Sequence, residues 1–559
     1  MDEKPKNLWE DTDVDKYQCH VTISTIGFTI KSENVDERVV HIEDLEKRKQ
    51  AYGICGECKE PGTGERWCQP CNAKRFKDNF NNWTSGNKDI DEFIQQSQLN
   101  AVHYYKCLEW IPFEKFQNIT YIAEGGFGKI YSAEWPERNI EYWDIENQKW
   151  YRYNYNKYAL KSLNNSSDIC SDFLNEIKSH LQIYLDNIVQ CYGITQDPNN
   201  KEYMMVLSYC ENGNLRNYLN NSEEYINYGS KIYQLQQIAR GLLGIHNAEK
   251  VHKDFRSGNI LRDKGFLSFI SDLGMCQPAN KQKVKEEGIY GVLPYMAPEV
   301  LRGYQYTKAA DIYSFGIIMN EFLSEEIPFN DIPHDDFLAI KICKGLRPTI
   351  SKDIPKLLAD LIIKCWDAEI KNRPTTKELY QLLKKWNDEI KDIEDSEDSE
   401  YSEYSEYSSE DDGDDEDSED GEDGEESEDS EDGEDVKYSE DVKYSENVKD
   451  NEDIKDNEDV KDSEDVKDSE NADNSQNSEI YFQIKECNKI RKEKFKNRSN
   501  EDKSKHFKTH PQAIYTSRLL NFKNLPKPVN SSDVPSFQVN SDDVPSVSTN
   551  LKFSESDHN

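Results

Sequence analysis

The chain has no apolar run approaching the ~20 residues that a membrane-spanning helix requires. Its opening residues, Met1-Asp2-Glu3-Lys4, also lack the apolar stretch of a secretory signal. Neither a membrane protein nor a secreted one is therefore expected. A disulfide framework is missing as well. Of the 13 cysteines most are isolated and four fall in two Cys-x-x-Cys pairs, a usage suited to a reducing compartment with one metal site. The expected location is cytoplasmic, with a nuclear fraction allowed. Basic charge is scarce overall, the net charge being −40. Residues 391–480, however, hold 43 Asp and Glu against 7 Lys, which leaves only −4 for the remainder. The acidity belongs to one tract, so it implies nothing about an acidic or basic active surface.

The composition divides the 559 residues into segments. Residues 1–50 are charged, with one β-branched stretch at 21–30 that is a candidate strand; their structure is otherwise unknown. The cysteine cluster occupies 51–80. Between 89 and 113, the spacing of Ile90, Phe93, Ile94, Leu99 and Val102 predicts a helical linker. The stretch 114–210 is strand-rich, with one helix near 172–185. Helical periodicity then recurs at 230–247, 309–324, 354–367 and 375–386. Strands followed by helices predict an α+β fold of two lobes across 114–386. Residues 134–156, rich in Tyr and Trp, read as a solvent-side hairpin. In 391–480 an apolar residue recurs every six positions between Val436 and Val466, matching neither a helix face nor a strand face. That acidic low-complexity tail is expected to be disordered. Residues 481–559, with a basic patch at 489–498, read as largely disordered too.

Phosphoryl transfer needs a cradle for phosphates, a cation to position them, metal ligands, and a carboxylate near the nucleophile. Motifs for each occur here in that chain order. Glu124-Gly125-Gly126-Phe127-Gly128 is a cradle in which glycines let backbone N–H groups approach phosphate oxygens. Alone, such a turn is equally well a simple hairpin. Lys161 ends the strand pattern Tyr158-Ala159-Leu160-Lys161, and Glu176 on the following helix could hold its ammonium. The strongest element is His252-Lys253-Asp254-Phe255-Arg256-Ser257-Gly258-Asn259. Asp254 would accept the proton of a substrate hydroxyl. Asn259 and Asp272, the latter in Asp272-Leu273-Gly274, are hard oxygen donors suited to Mg2+ beside phosphates. Ala297-Pro298-Glu299, Asp311-Ile312-Tyr313-Ser314-Phe315-Gly316 and Asn372-Arg373-Pro374 complete the series.

This ordered set resembles the eukaryotic protein kinases. Arg256-Ser257-Gly258-Asn259-Ile260-Leu261 and Tyr295-Met296-Ala297-Pro298-Glu299 are most similar to the tyrosine-kinase-like group. The resemblance covers about half of the chain. It implies a β-rich N-lobe, a helical C-lobe and an ATP site under the turn Ala123–Gly128. A hinge at Ser208–Cys210 and Leu207 at the back pocket are implied too. So are a Glu299–Arg373 ion pair and an Asp311 that braces the catalytic loop. Four positions depart from the pattern, among them Arg256, which stands in place of the usual lysine. Ala123 stands in place of the first glycine, and Lys253 in place of an arginine whose bidentate grip it cannot reproduce. Val292 stands where serine/threonine kinases usually have threonine. Between Met275 and Glu299 there is no Ser or Thr, which predicts little need for activating phosphorylation, Tyr290 being the exception.

Cys55-x-x-Cys58 and Cys68-x-x-Cys71 have nine residues between them, and each pair can offer two thiolates to one tetrahedral Zn2+. A structural zinc module is expected, too small to fold without metal. The function expected is ATP-dependent transfer to protein hydroxyls, with Ser/Thr favoured by the group resemblance and Tyr left open, in intracellular signalling. Asp254 is the base, with Lys161, Asn259 and Asp272 holding MgATP. The alternatives are a pseudokinase scaffold and an interaction protein acting through its zinc module and acidic tail. Protein partners are expected there, nucleic acid is not, and neither is a membrane.

Overall fold

The protein is described by a computed structural model covering residues 6–14, 16–22, 38–125, 128–153, 157–163, 171–221, 225–265, 267–279, 289–406, 478–497 and 509–530. Two compact units are present, Met1–Ile390 with Glu479–Asn559, and Lys391–Ser478. No helix among the described residues is long and apolar enough to cross a membrane.

The first part of the larger unit holds α1 (Leu45–Tyr52), α2 (Gln69–Asn79) and α3 (Lys88–Asn100). Asn87 caps α3 by accepting from the N–H groups of Asp89 and Ile90, which satisfies donors the helix leaves open. Val21, Val40, Ala51, Tyr52 and Val102 form a small core. The Arg48 guanidinium donates to the carbonyls of Ile42, Pro61 and Gly62, fixing the turn between the two cysteine pairs. The cysteine pairs are therefore part of a folded module built from both flanks. The module expected at 51–80 thus extends into the 1–50 segment, which supplies some of its packing.

A six-stranded sheet follows, from β1 (Glu109–Trp110), β2 (Gln117–Gly125), β3 (Gly128–Glu134), β6 (Lys157–Leu163), β7 (Cys191–Gln196) and β8 (Tyr203–Ser208); β4 (Ile140–Asp144) and β5 (Lys149–Arg152) pair separately. The order is β1-β7-β8-β6-β3-β2, antiparallel except where β1 lies parallel to β7. Gly193 permits that pairing, since a Cβ there would meet the Glu109 carbonyl at 2.1 Å. Helix α4 (Ser171–Gln182) packs Phe173 and Ile177 against Ile90 and Ile94 of α3 and Leu108.

The helical lobe contains α5 (Leu215–Asn221), α6 (Tyr228–Asn247), α7 (Pro298–Leu301), α8 (Lys308–Ser324), α9 (Asp336–Cys343), α10 (Lys356–Cys365) and α11 (Thr376–Glu406). Helix α8 is buried continuously from Ala310 to Leu323, as its apolar content on every face requires. Short pairs β9 (Lys250–Val251) with β12 (Gln277–Pro278), and β10 (Ile260–Arg262) with β11 (Ser268–Ile270), carry the loops between the lobes. The bilobal α+β architecture is as expected.

Four expectations need correction. The linker 89–113 is helical only to Asn100, after which Glu109–Trp110 joins the sheet. The 134–156 insert is not a solvent-side hairpin: Trp150 of β5 stacks on Phe76 of α2, ring centroids 4.8 Å apart, beside buried Trp67. Helix α11 continues past 386 to Glu406. Residues 481–559, expected to be largely disordered, carry structure where they are described, at 481–497 and 509–530. They supply α12 (Glu479–Lys496), which buries Ile480, Tyr481 and Ile484, and β14 (Arg518–Leu520), paired with β13 (Ile289–Gly291). Charge anchors α12, because Arg491 pairs with Glu325 at 2.7 Å and Asp353 at 3.3 Å. Most of the 21–30 stretch, and the acidic tract over 407–477, lie outside the described residues.

Candidate active site

Alternation along β6 sends Leu160 into the cluster under Trp135 and puts Lys161 on the opposite face, toward the cleft. There its Nζ lies 2.7 Å from Glu176 Oε1 and 2.8 Å from Asp272 Oδ1. Burial alone would lower the Lys161 ammonium, but Asp272 and Glu176 outweigh it and the group is raised above its ordinary value. Burial works against Asp272 too, yet the Lys161 charge holds that carboxylate below its usual range. Asp272 has φ +62°, a conformation disfavoured outside glycine, and the strain aims its side chain at the cleft.

Asp254 is 4% exposed. Its Oδ2 accepts from Asn259 Nδ2 at 3.0 Å and from Arg256 Nε at 3.2 Å. Asn259 Nδ2 also donates to the Asp254 carbonyl at 2.8 Å, so its amide oxygen is the donor left for a cation. The Ser271 N–H donates to the Asn259 carbonyl at 2.8 Å, tying the loop of Asn259 to the strand end that bears Asp272. Fully buried Asp311 accepts from the backbone N–H groups of His252 (2.8 Å) and Lys253 (3.1 Å), and from His246 Nε2. Glu299 and Arg373 form a two-pronged pair at 2.7 and 2.8 Å.

Gly125 and Gly128 face each other at the β2–β3 turn, with Ala123 opposite Ile130 and Glu124 opposite Lys129. A Cβ at Gly125 would meet nothing within 4 Å. Gly126 and Phe127 lie outside the described residues. Ser208 ends β8 and donates its N–H to the Gln190 carbonyl at 3.0 Å, with Cys210 two residues on. Leu207 is buried in the cluster that backs the sheet. Lys253 Nζ donates to Gln277 Oε1 at 3.1 Å.

The sulfurs of Cys55, Cys58, Cys68 and Cys71 all lie within 4.8 Å of one another. Two separations are 3.6 and 3.9 Å. Four thiolates around Zn2+ at ~2.3 Å would stand about 3.8 Å apart, so this donor set fits the ion. A hydrogen bond with Cys68 pulls the Cys55 thiol down to about 5, whereas burial pushes Cys71 up to about 12. Arg75 of α2 pairs with Glu57 and lies over the Trp143 ring at 4.2 Å, joining this cluster to the β4–β5 hairpin.

Two groups at the cleft escaped the sequence reading. Arg216, Ser257, Tyr295 and Glu321 form a buried network in which Glu321 accepts from Arg216 Nε at 2.5 Å, Ser257 at 2.9 Å and Tyr295 at 2.5 Å. The second is Ser517, whose Oγ donates to Asp254 Oδ1 at 2.6 Å from 263 positions away. No local spacing could have announced either.

The family model of protein tyrosine and serine/threonine kinases matches residues 116–383. Among curated relatives, the RGS domain-containing serine/threonine-protein kinase A of Dictyostelium discoideum is 28% identical over 260 residues, 46% of this chain and 21% of that protein. The serine/threonine-protein kinase VIK of Arabidopsis thaliana is 30% identical over 280 residues, 48% of this chain and 60% of that protein. The chain thus spans less than two thirds of either relative. Residues 116–383 of this chain are a protein kinase domain.

Proposed function

We propose that this domain transfers the γ-phosphoryl group of ATP to protein hydroxyls, with Ser/Thr preferred. The observation that carries the reading is the Lys161–Glu176–Asp272 cluster, assembled beside Asp254 and Asn259. Lys161 would hold the α/β-phosphates, with Glu176 keeping its ammonium in place. Asn259 and Asp272 would bind Mg2+, which when present bridges phosphate oxygens and offsets charge during transfer. Asp254 Oδ1 lies within hydrogen-bonding reach of a serine hydroxyl, the distance a general base needs. Ala123, Glu124, Gly125, Gly126, Phe127 and Gly128 would cover the phosphates, with Ser208 and Cys210 beside the adenine. The Ser/Thr preference rests on the relatives' names. At Cys55, Cys58, Cys68 and Cys71 the four sulfurs would hold a structural Zn2+. We assign the folded module around them and the kinase domain to one working unit in the cytoplasm.

The test is transfer of labelled phosphate to synthetic peptides by the purified chain with MgATP. Lys161→Met and Asp254→Ala should each lower the rate about 100-fold or more. Nucleotide binding without transfer to any acceptor would favour the scaffold reading.

A further inference from the structure

The segment 509–530 lies along the substrate side of the helical lobe, tied at both ends and in the middle. His510 N–H donates to the Asn330 carbonyl at 2.7 Å, and His334 N–H donates to the Gln512 carbonyl at 3.0 Å. The Tyr515 hydroxyl donates to the Pro328 carbonyl at 2.8 Å, while the Arg216 guanidinium lies 4.4 Å over its ring. That guanidinium is itself fixed by Glu321, so the Tyr515 position is preformed. Arg518 donates to the His334 carbonyl at 2.6 Å. Next, β14 pairs antiparallel with β13, Arg518 opposite Gly291, Leu519 opposite Tyr290 and Leu520 opposite Ile289. Leu520 is buried there, and the Val529 N–H reaches the Cys343 carbonyl at 3.0 Å. Strand addition of this kind gives affinity through the backbone and selectivity through side-chain pockets. It delivers one hydroxyl, that of Ser517, to Asp254 Oδ1.

We propose that Ser517 is a phosphoacceptor of this chain's own active site, delivered in cis by the segment 509–530. The proposal rests on the kinase reading above and names an acceptor for it. In the transfer, Ser517 Oγ attacks the γ-phosphorus of ATP and the Oγ–P bond forms. The bond from that phosphorus to the bridging oxygen breaks, and its electron pair leaves with ADP. The hydroxyl proton passes to Asp254 Oδ1 and on to solvent. The product carries −1.5 to −2 charge, roughly, at neutral pH. It then faces the Asp254 carboxylate at the distance where the hydroxyl had been a donor, so repulsion replaces attraction and the segment leaves the cleft. External acceptors gain access only after that.

The experiment uses the full chain with MgATP, maps phosphate by mass spectrometry, and follows a synthetic peptide of sequence 509–530 as external acceptor. Phosphate should appear on Ser517 with a rate constant unchanged over a hundredfold dilution. Peptide phosphorylation should show a lag that preincubation with ATP removes. Leu520→Glu, which puts a charge at the buried end of the β13–β14 pairing, should slow Ser517 modification at least tenfold and raise the initial rate on the peptide. Peptide phosphorylation with Ser517 unmodified overturns the proposal and spares the kinase reading. So does Ser517 modification whose rate rises in proportion to chain concentration. Transfer to no acceptor at all overturns both.

Discussion

Lowering the pH from 7 to 5 should destabilise the fold through imidazoles buried where the N-terminal module meets α4. His20 sits 4.8 Å from the Tyr184 ring and 5.6 Å from that of His103, while His180 lies on α4 one turn beyond Glu176. Burial, and then the nearby Lys106, hold His20 down to about 3. Burial, then Lys161 and Lys106, do the same to His180, also to about 3. Both are therefore neutral in the folded chain, while the unfolded chain takes up protons below about 6.5. Their stabilising effect is complete above that pH and is lost as the pH falls. At pH 5 each imidazole binds protons in the unfolded state worth about 2 kcal/mol, so the pair costs about 4 kcal/mol relative to pH 7, and His103, which burial also holds well below its ordinary value, adds to that loss. Asp272 and Glu325, whose carboxylates are held low, lose their contributions only at more acid pH, outside this window. Denaturant unfolding at the two pH values measures the difference. In His180→Leu the drop should shrink by about 2 kcal/mol. A wild-type change under about 1 kcal/mol, or a variant whose drop matches the wild type, would refute the argument.

Three further outcomes are expected. Arg373→Met should cost about 3–5 kcal/mol by leaving Glu299 buried and unpaired, and Glu299→Leu with Arg373→Met should recover most of it; both are read from denaturant melts. Chain purified with zinc present should contain one ion by metal analysis, and Cys58→Ser should lose it and melt at lower temperature. Phe76→Ala should cost about 3–5 kcal/mol, because Phe76 is 5% exposed and its ring stacks on Trp150. Peptide phosphorylation should fall along with it, since the same module packs α3 against α4.

What was legible in the sequence is what chemistry places close along the chain. His252 to Asn259 is one loop, and Asn259, five residues after Asp254, donates to its carboxylate at 3.0 Å. Helix α10 follows directly from apolar periodicity, because it buries the face that its spacing marks, whereas α8 is apolar on every face and buried throughout. Where two readings competed, packing decided. The 134–156 insert is rich in Tyr and Trp, and nothing local in the sequence marks what covers them. Its partner, Phe76, comes from a module whose own core is too small, so each covers the other's aromatic face. Lys106 shows the same dependence: surrounded by carbonyls of α4 and its C-terminal turn, it links the module to the helix that carries Glu176. The C-terminal segment was the hardest to read. Its composition resembles a polar linker, and a few apolar residues such as Tyr515 and Leu520 are too sparse to make a core of their own. They need only fill sites that another surface has already formed, and such sites leave no periodicity behind. The Ser517 contact therefore belongs to the folded chain alone: a hydroxyl and a carboxylate 263 positions apart, brought together by a groove that neither residue helps to build.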